Sequence, residues 1–186
     1  MKANIDPSFI RDNRKSQVLE IARRSLTSVG AHIVLIIFVA AVTPLRNDYP
    51  TVLIGFGGLI CLNSAVRLIM GRKMPDIFDL RPVFWGRMNA LLNALSAALW
   101  GGLAVVIACL YPLEWPFMFT LVINSGLGAG ATSSLGPDFS LSRTFSILIL
   151  VPIAVWGILN GTALGIGVGV LCIFCCFMFI RMAKDN

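Results

Sequence analysis

Charged residues are scarce in this chain. Asp, Glu, Lys and Arg make up 13% of its 186 residues, whereas 57% are hydrophobic, a balance that excludes an ordinary soluble domain. Histidine occurs once, as His32, and the chain contains neither His-Glu-x-x-His nor Gly-x-Ser-x-Gly. Zinc hydrolases and serine hydrolases depend on such residue sets. We therefore expect that this chain is not an enzyme and carries no cofactor.

The cysteines predict neither a metal site nor disulfides. All five lie inside apolar stretches, and three of them form the run Cys172-x-x-Cys175-Cys176. A zinc site in this run needs further ligands, and the chain has a single histidine. Disulfides belong to oxidising aqueous compartments. We interpret the cysteines as reduced thiols that pack between helices.

Six long apolar stretches divide the sequence. Each is close to the ~20 residues that a helix needs to cross the ~30 Å hydrocarbon core of a bilayer. Because backbone polar groups are not left unpaired in lipid, each stretch is predicted to be helical. The predicted fold is all-α, a polytopic membrane protein with a bundle of six transmembrane helices. The predicted spans are 25–45, 49–70, 87–111, 115–135, 141–159 and 162–182.

The cations are distributed unevenly between the segments that connect these spans. Fourteen of the 15 Lys and Arg residues fall on one side, and only Arg46 falls on the other, near Asp48 and Glu114. Lys and Arg are retained on the cytoplasmic face during insertion. We therefore predict that both termini are cytoplasmic and that the protein lies in the bacterial inner membrane. The expected partner of this charge is the anionic bilayer surface rather than nucleic acid.

Three segments are predicted along the chain. Residues 1–24 are expected to form a cytoplasmic amphipathic juxtamembrane helix that starts near Pro7. Residues 25–183 are expected to form the six-helix transmembrane domain, and 184–186 to begin a cytoplasmic connector. The longest connection between spans is predicted to be the cytoplasmic segment 71–85.

Polar side chains gather in the cytoplasmic half of the predicted spans, where they are costly and often functional. Asn89, Asn93, Ser96 and Trp100 follow one another at spacings of four, three and four, which places them on one stripe of a helix. The third span is therefore expected to be central, with Asn124 of the fourth span near Trp100. The candidate ligand-binding residues are His32, Asn63, Arg67, Asn89, Asn93, Trp100 and Asn124.

These residues also have a packing interpretation. Asn, Ser and Thr commonly join membrane helices at about 1 kcal/mol or less per contact. We interpret Arg67 preferentially as snorkelling to the headgroups, and His32 as a hydrogen-bonding residue between helices. Both the packing interpretation and a ligand or ion site stay open for the set.

Small residues recur at intervals of four in the fourth and sixth spans. Such small-xxx-small pairs let helices approach closely, within one bundle or between protomers. The pairs are Gly126/Gly130, Gly161/Gly165 and Gly165/Gly169.

Several short motifs resemble a known class of membrane module. They are Arg81, Trp85 and Arg87, then Ala98-Leu99-Trp100-Gly101, Gly126-x-Gly128-x-Gly130-Ala131, Arg143, Pro152 and Arg181. Over most of residues 20–186 the chain resembles the amino-terminal membrane sensor modules of bacterial histidine kinases and diguanylate cyclases. The resemblance implies a homodimer whose last span continues into a coiled coil and a covalently linked cytoplasmic output domain. Residues 181–186 contain no Gly or Pro that would stop the helix.

The expected function is a sensory input module. It would detect a membrane-borne or small ligand and transmit a shift of the sixth span to a histidine kinase or diguanylate cyclase domain of a two-component or related signalling system. An alternative is a small six-span transporter whose path is lined by His32, Asn63, Asn89 and Asn93. A third possibility is a scaffold whose glycine faces bind another membrane protein.

Overall fold

The chain folds into a bundle of α-helices. The computed structural model describes the backbone of residues 7–185, and all side chains in that range except those at 7–14, 17, 18, 22, 25–27, 75 and 77. A 3₁₀ turn at Phe78–Leu80 lies between the third and fourth helices. The α-helices are α1 (Pro7–Val42), α2 (Leu45–Asp48), α3 (Pro50–Ile77), α4 (Pro82–Leu110), α5 (Trp115–Ser134), α6 (Phe139–Asn160) and α7 (Ala163–Asp185).

The all-α prediction is confirmed, since no strand occurs within residues 7–185. Four helices are long and apolar enough to cross a membrane: Pro50–Met74, Pro82–Leu110, Phe139–Asn160 and Ala163–Asp185. The apolar part of α1, Ser28–Val42, is shorter than these helices. The helix α5 is continuous, but Asn124 and a run of small residues make its sequence less apolar. Four apolar helices of this kind are consistent with a membrane bundle.

Local sequence signals set most of the helix ends. Pro82 and Pro116 occupy the first turns of α4 and α5, where the missing N–H leaves no intrahelical bond unmade. Asp138 caps α6, and its carboxylate accepts a hydrogen bond from the backbone N–H of Leu141 at 3.1 Å. Gly161 ends α6 in the left-handed region, with φ of 72°, which favours glycine.

The helices α1 and α3 continue past two of the predicted segment boundaries. The helix α1 runs unbroken from Pro7 to Val42, so no break in the backbone separates the predicted juxtamembrane segment from the first span. The predicted connection 71–85 is largely helical, because α3 continues to Ile77 and a 3₁₀ turn leads directly into α4. Of the predicted amphipathic helix, Ile21 is buried, Lys15 is half-buried, and Arg23 and Arg24 are exposed. Its other members, at positions 10, 11, 14, 18 and 22, lie outside the described side chains.

The helix α4 lies at the centre of the bundle, as its polar stripe predicts. It contacts α1, α3, α5 and α6, and half of its most apolar stretch is buried. On the far side, α6 and α7 pack closely through glycines. A Cβ on Gly157 would lie 2.6 Å from the carbonyl oxygen of Gly165 and 2.9 Å from the amide nitrogen of Gly169.

Candidate functional site

A buried arginine organises the polar interior of the bundle. Arg67 comes from α3 and is only 4% exposed, although it carries a charge. Its Nη1 donates a hydrogen bond to Ser96 Oγ at 3.0 Å. Its Nη2 donates to Asn93 Oδ1 at 2.8 Å and to Ser28 Oγ at 3.1 Å. The snorkelling interpretation is therefore wrong, because the guanidinium points into the bundle.

The stripe on α4 supplies most of the acceptors around this guanidinium. Asn63 of α3 donates to Ser96 Oγ at 2.7 Å and to the carbonyl oxygen of Leu92 at 3.2 Å. Asn93 in turn donates to the carbonyl oxygen of Asn89 at 2.8 Å and to its Oδ1 at 3.2 Å. These side chains form one hydrogen-bonded group with Arg67, because residues spaced by three and four share a helix face.

A second group joins α1, α4 and α5. The indole Nε1 of Trp100 donates a hydrogen bond to Nδ1 of His32 at 2.8 Å, and both side chains are buried. An imidazole whose Nδ1 accepts a hydrogen bond in this way carries its proton on Nε2 when neutral. Asn124 donates to the carbonyl oxygen of Trp100 at 3.2 Å, so the predicted proximity of these two residues is confirmed.

Both groups border a cleft between α1 and α5, which has a volume of about 560 Å³. Arg67, His32 and Asn93 line it from the interior. The remaining lining residues come from α1, α5 and Phe145 of α6. The volume falls within the range of about 300–1,000 Å³ that is typical of small-molecule sites.

The cleft is polar at one end and apolar at the other. Arg24, Ser28 and Ser134 lie at the end where α1 enters the bundle, whereas Leu35 and Val122 lie at the opposite end. The guanidinium of Arg24 donates to the carbonyl oxygen of Ser133 at 3.1 Å, which ties α1 to α5 at the polar end. The two helices are therefore antiparallel along the cleft.

The two arginines of the cleft differ in charge balance. Arg24 pairs with Glu20 at 2.7 Å, and the hydrogen bond from Arg24 lowers the pKa of the Glu20 carboxyl. Among the described side chains, no carboxylate lies within ion-pair distance of Arg67, and its buried Nε has no hydrogen-bond partner. Burial of a charge without a counter-charge is costly. Arg67 thus leaves an uncompensated positive charge at the inner wall of the cleft.

The glycines of α5 keep the cleft open. A Cβ added to Gly126 or Gly130 would meet no described atom within 4 Å, so neither glycine packs against another helix within the part of the chain that the structure describes. The close-packing prediction is confirmed for the pair Gly165/Gly169, whose added Cβ atoms would approach the backbone of α6 within 2.9 Å. Gly128 lies on the other face of α5, against the ring of Phe179 in α7.

The structure brings all seven candidate residues into these two groups. Three further polar residues that were not among the candidates belong to the site, namely Ser28, Ser96 and Arg24. Ser28 precedes His32 by four positions and so shares its helix face, a spacing from which it could have been found. In the sequence, Arg24 is one of several cations next to a predicted span, so no local signal distinguishes it as a site residue.

The described residues contain no group of three or more His, Cys, Asp or Glu side chains arranged to hold a metal ion. Cys172 and Cys176 are buried on α7 as free thiols. Comparisons of the chain with known protein families, with curated proteins and with solved structures find no significant match. The geometry of the cleft is therefore the feature of this chain that points to a function.

Proposed function

We propose that the chain is the input module of a membrane-embedded sensor in a bacterial inner membrane. In this arrangement α1 and α5 cross the bilayer beside the four long apolar helices, which makes six spans with both termini in the cytoplasm. The uneven distribution of Lys and Arg supports this orientation. The antiparallel contact between α1 and α5 at Arg24 and Ser133 is consistent with it.

The observation that carries the proposal is the buried, uncompensated Arg67 on the wall of an accessible cleft. Ionisable groups within membrane helices mark functional sites by default, because their burial is expensive. Here the polar group is joined by hydrogen bonds to three helices and borders a volume of about 560 Å³. Simple helix packing does not require a cleft beside the cluster.

The helix α5 offers a route from the cleft to the carboxyl-terminal helix. Gly126 and Gly130 face the cleft, and Gly128 between them contacts Phe179 of α7. A ligand that shifts α5 would therefore press on α7 close to Arg181, where the helix leaves the predicted span. The ligand favours one packing of the bundle, and α7 passes the shift to a cytoplasmic kinase or cyclase domain. A homodimer would align two such helices.

A chimera tests this proposal. Residues 1–186 are fused to a histidine kinase output domain, and its activity is measured in cells. We expect Asn93→Leu and Trp100→Ala to change the output while membrane insertion is retained, because each breaks one of the two hydrogen-bonded groups. The matched control is Trp115→Ala, since Trp115 is half exposed at the start of α5 and makes no contact with either group. Unchanged output from both variants would contradict the proposal.

A transport assay on the same purified protein examines the alternative. The protein is reconstituted in liposomes, and the passage of small solutes across the bilayer is followed. Solute flux that Asn93→Leu abolishes, together with a silent chimera, would favour a permease over a sensor.

A further inference from the structure

We infer that the cleft between α1 and α5 binds an amphiphile with a singly charged anionic headgroup, a carboxylate or a phosphate diester, and an apolar chain. The headgroup lies against Arg67 and the chain follows α5. This inference rests on the proposed function in that the cleft is taken as the stimulus site, and it adds the chemical class of the stimulus.

Arg67 provides the recognition of the anion. Its guanidinium is fixed in position by Asn93, Ser96 and Ser28, and its Nε donor is unpartnered among the described residues. A guanidinium presents planar donors that match the oxygens of carboxylates and phosphates. An arriving oxyanion therefore gains a charge-assisted hydrogen bond and supplies a counter-charge that no described carboxylate provides.

The charge balance of the cleft favours one negative charge. Arg24, the other cation of the lining, is already paired with Glu20 at 2.7 Å. Asn93 and Ser28 are neutral, and none of the described residues that line the cleft is acidic. A monoanion therefore leaves the cleft neutral, whereas a second negative charge would remain unpaired in apolar surroundings.

The remainder of the cleft suits a hydrocarbon chain. It follows α5 from Val122 to Ser134, about 18 Å at the rise of an α-helix. Leu35, Leu127 and Phe145 contribute apolar surface, and Gly126 leaves open space where a side chain would block it. Val122 is 70% exposed at the apolar end, so a chain can enter sideways from the bilayer. A small water-soluble anion would leave this surface unused.

Direct binding to the purified protein tests the inference. The full chain is placed in nanodiscs of phosphatidylcholine, and the binding of radiolabelled dodecanoate is measured at equilibrium. We expect Arg67→Gln to weaken binding by about tenfold or more, because a hydrogen bond to a charged group is lost. We expect Gly126→Leu to weaken it by about tenfold as well, because the side chain fills the cleft.

The control for the second variant is Gly58→Leu. Gly58 is exposed on α3, and a Cβ there also meets no atom within 4 Å, so the same change is made away from the cleft. Thermal unfolding of each variant verifies that it is folded. Should Arg67→Gln fail to fold, Gly126→Leu against Gly58→Leu still decides the result. Equal binding by those two variants would overturn the inference.

Competition experiments test the headgroup. Dodecyl methyl phosphate, a monoanionic diester, is expected to displace dodecanoate, whereas dodecanol is not, because the alcohol has the same chain without the charge. Displacement by dimethyl phosphate at comparable concentration, or by dodecanol as effectively as by dodecyl methyl phosphate, would refute the amphiphile.

The source of the anion follows from the bilayer used. Apparent dodecanoate affinity that falls in phosphatidylglycerol nanodiscs identifies a membrane lipid as the occupant, and unchanged affinity identifies a free amphiphile.

The chimera separates this inference from the proposed function. Binding at Arg67 with no change in output upon adding dodecanoate would contradict the sensor and retain the ligand class. An output that responds to Asn93→Leu in a chain that binds no dodecanoate would contradict the ligand class alone.

Discussion

Replacement of Asn93 by aspartate would place a carboxylate directly against Arg67. In the structure, Asn93 Oδ1 accepts a hydrogen bond from Arg67 Nη2 at 2.8 Å, and this contact becomes an ion pair in the variant. The Nδ2 hydrogen bonds to the carbonyl oxygen of Asn89 at 2.8 Å and to its Oδ1 at 3.2 Å are lost. The variant therefore supplies a counter-charge to Arg67 from within the chain, at the loss of two hydrogen bonds.

Asn124→Asp is the matched control. Asn124 is also buried, and its Nδ2 also donates to a backbone carbonyl, that of Trp100 at 3.2 Å. Its Oδ1 has no hydrogen-bond partner among the described residues, so the new carboxylate would be buried without a cation. The two variants share the cost of burying a carboxylate and losing an amide donor. They differ in the ion pair with Arg67, and Asn93→Asp loses one more hydrogen bond than Asn124→Asp.

The magnitude follows from Coulomb's law. Two unit charges about 4 Å apart interact by about 4 kcal/mol at an effective dielectric constant of about 20. Arg67 is only 4% exposed, so solvent screens the pair weakly. We expect Asn93→Asp to unfold at a temperature about 10 °C above Asn124→Asp, measured by thermal denaturation of the purified proteins in neutral detergent. We also expect Asn93→Asp to bind dodecanoate weakly, because its own carboxylate occupies Arg67.

Equal stability of the two aspartate variants would refute this reasoning, since it would mean that Arg67 is not an uncompensated charge. Retention of dodecanoate binding by Asn93→Asp would show that the anion does not compete for the same guanidinium.

Three further predictions concern packing and transmission. Gly157→Ala should destabilise the fold by about 1–3 kcal/mol in chemical unfolding, because its Cβ would lie 2.6 Å from a backbone oxygen of α7. Gly126→Ala, which has open space around its Cβ, should be neutral or stabilising, and the reverse order of stability would be inconsistent with the structure. Gly128→Leu should fix the chimera in one output state, because the Phe179 ring would lie 2.7 Å from the new Cβ. The second change Phe179→Ala should restore the response of the chimera, and a failure to restore it would contradict the route through α5. Trp100→Phe should lower the free energy of unfolding by about 1 kcal/mol, because it removes the N–H that donates to the His32 imidazole at 2.8 Å. An unchanged free energy of unfolding would contradict that hydrogen bond.

Part of this architecture follows from local sequence signals. Pro82 starts α4, and Gly161 ends α6, as the fixed φ of proline and the left-handed conformation of glycine require. The spacing of Asn89, Asn93 and Trp100 places them on one helix face, and it correctly predicts that α4 is central. These features are local, because they depend on residues at most a few turns apart.

The continuity of helices is harder to predict from hydropathy. The change from polar to apolar residues near position 25 does not interrupt α1, and the charged residues after Met70 do not end α3. Both sets of residues have good helix propensity, so the backbone stays helical while the surroundings change. A boundary in polarity is therefore not a boundary in backbone structure.

Composition and periodicity determine the helical class, the helix-ending residues and the level at which the polar side chains lie. The packing of the helices decides the direction of Arg67, since an arginine near the end of a predicted span can reach either headgroups or neighbouring side chains. Packing also decides that Gly165 and Gly169 meet α6 while Gly126 and Gly130 face an open cleft. Glycine permits both arrangements, because the absence of a side chain allows another helix to come close but does not determine whether one does. The site exists only where α1, α3, α4 and α5 meet, and that meeting depends on contacts far apart in the chain.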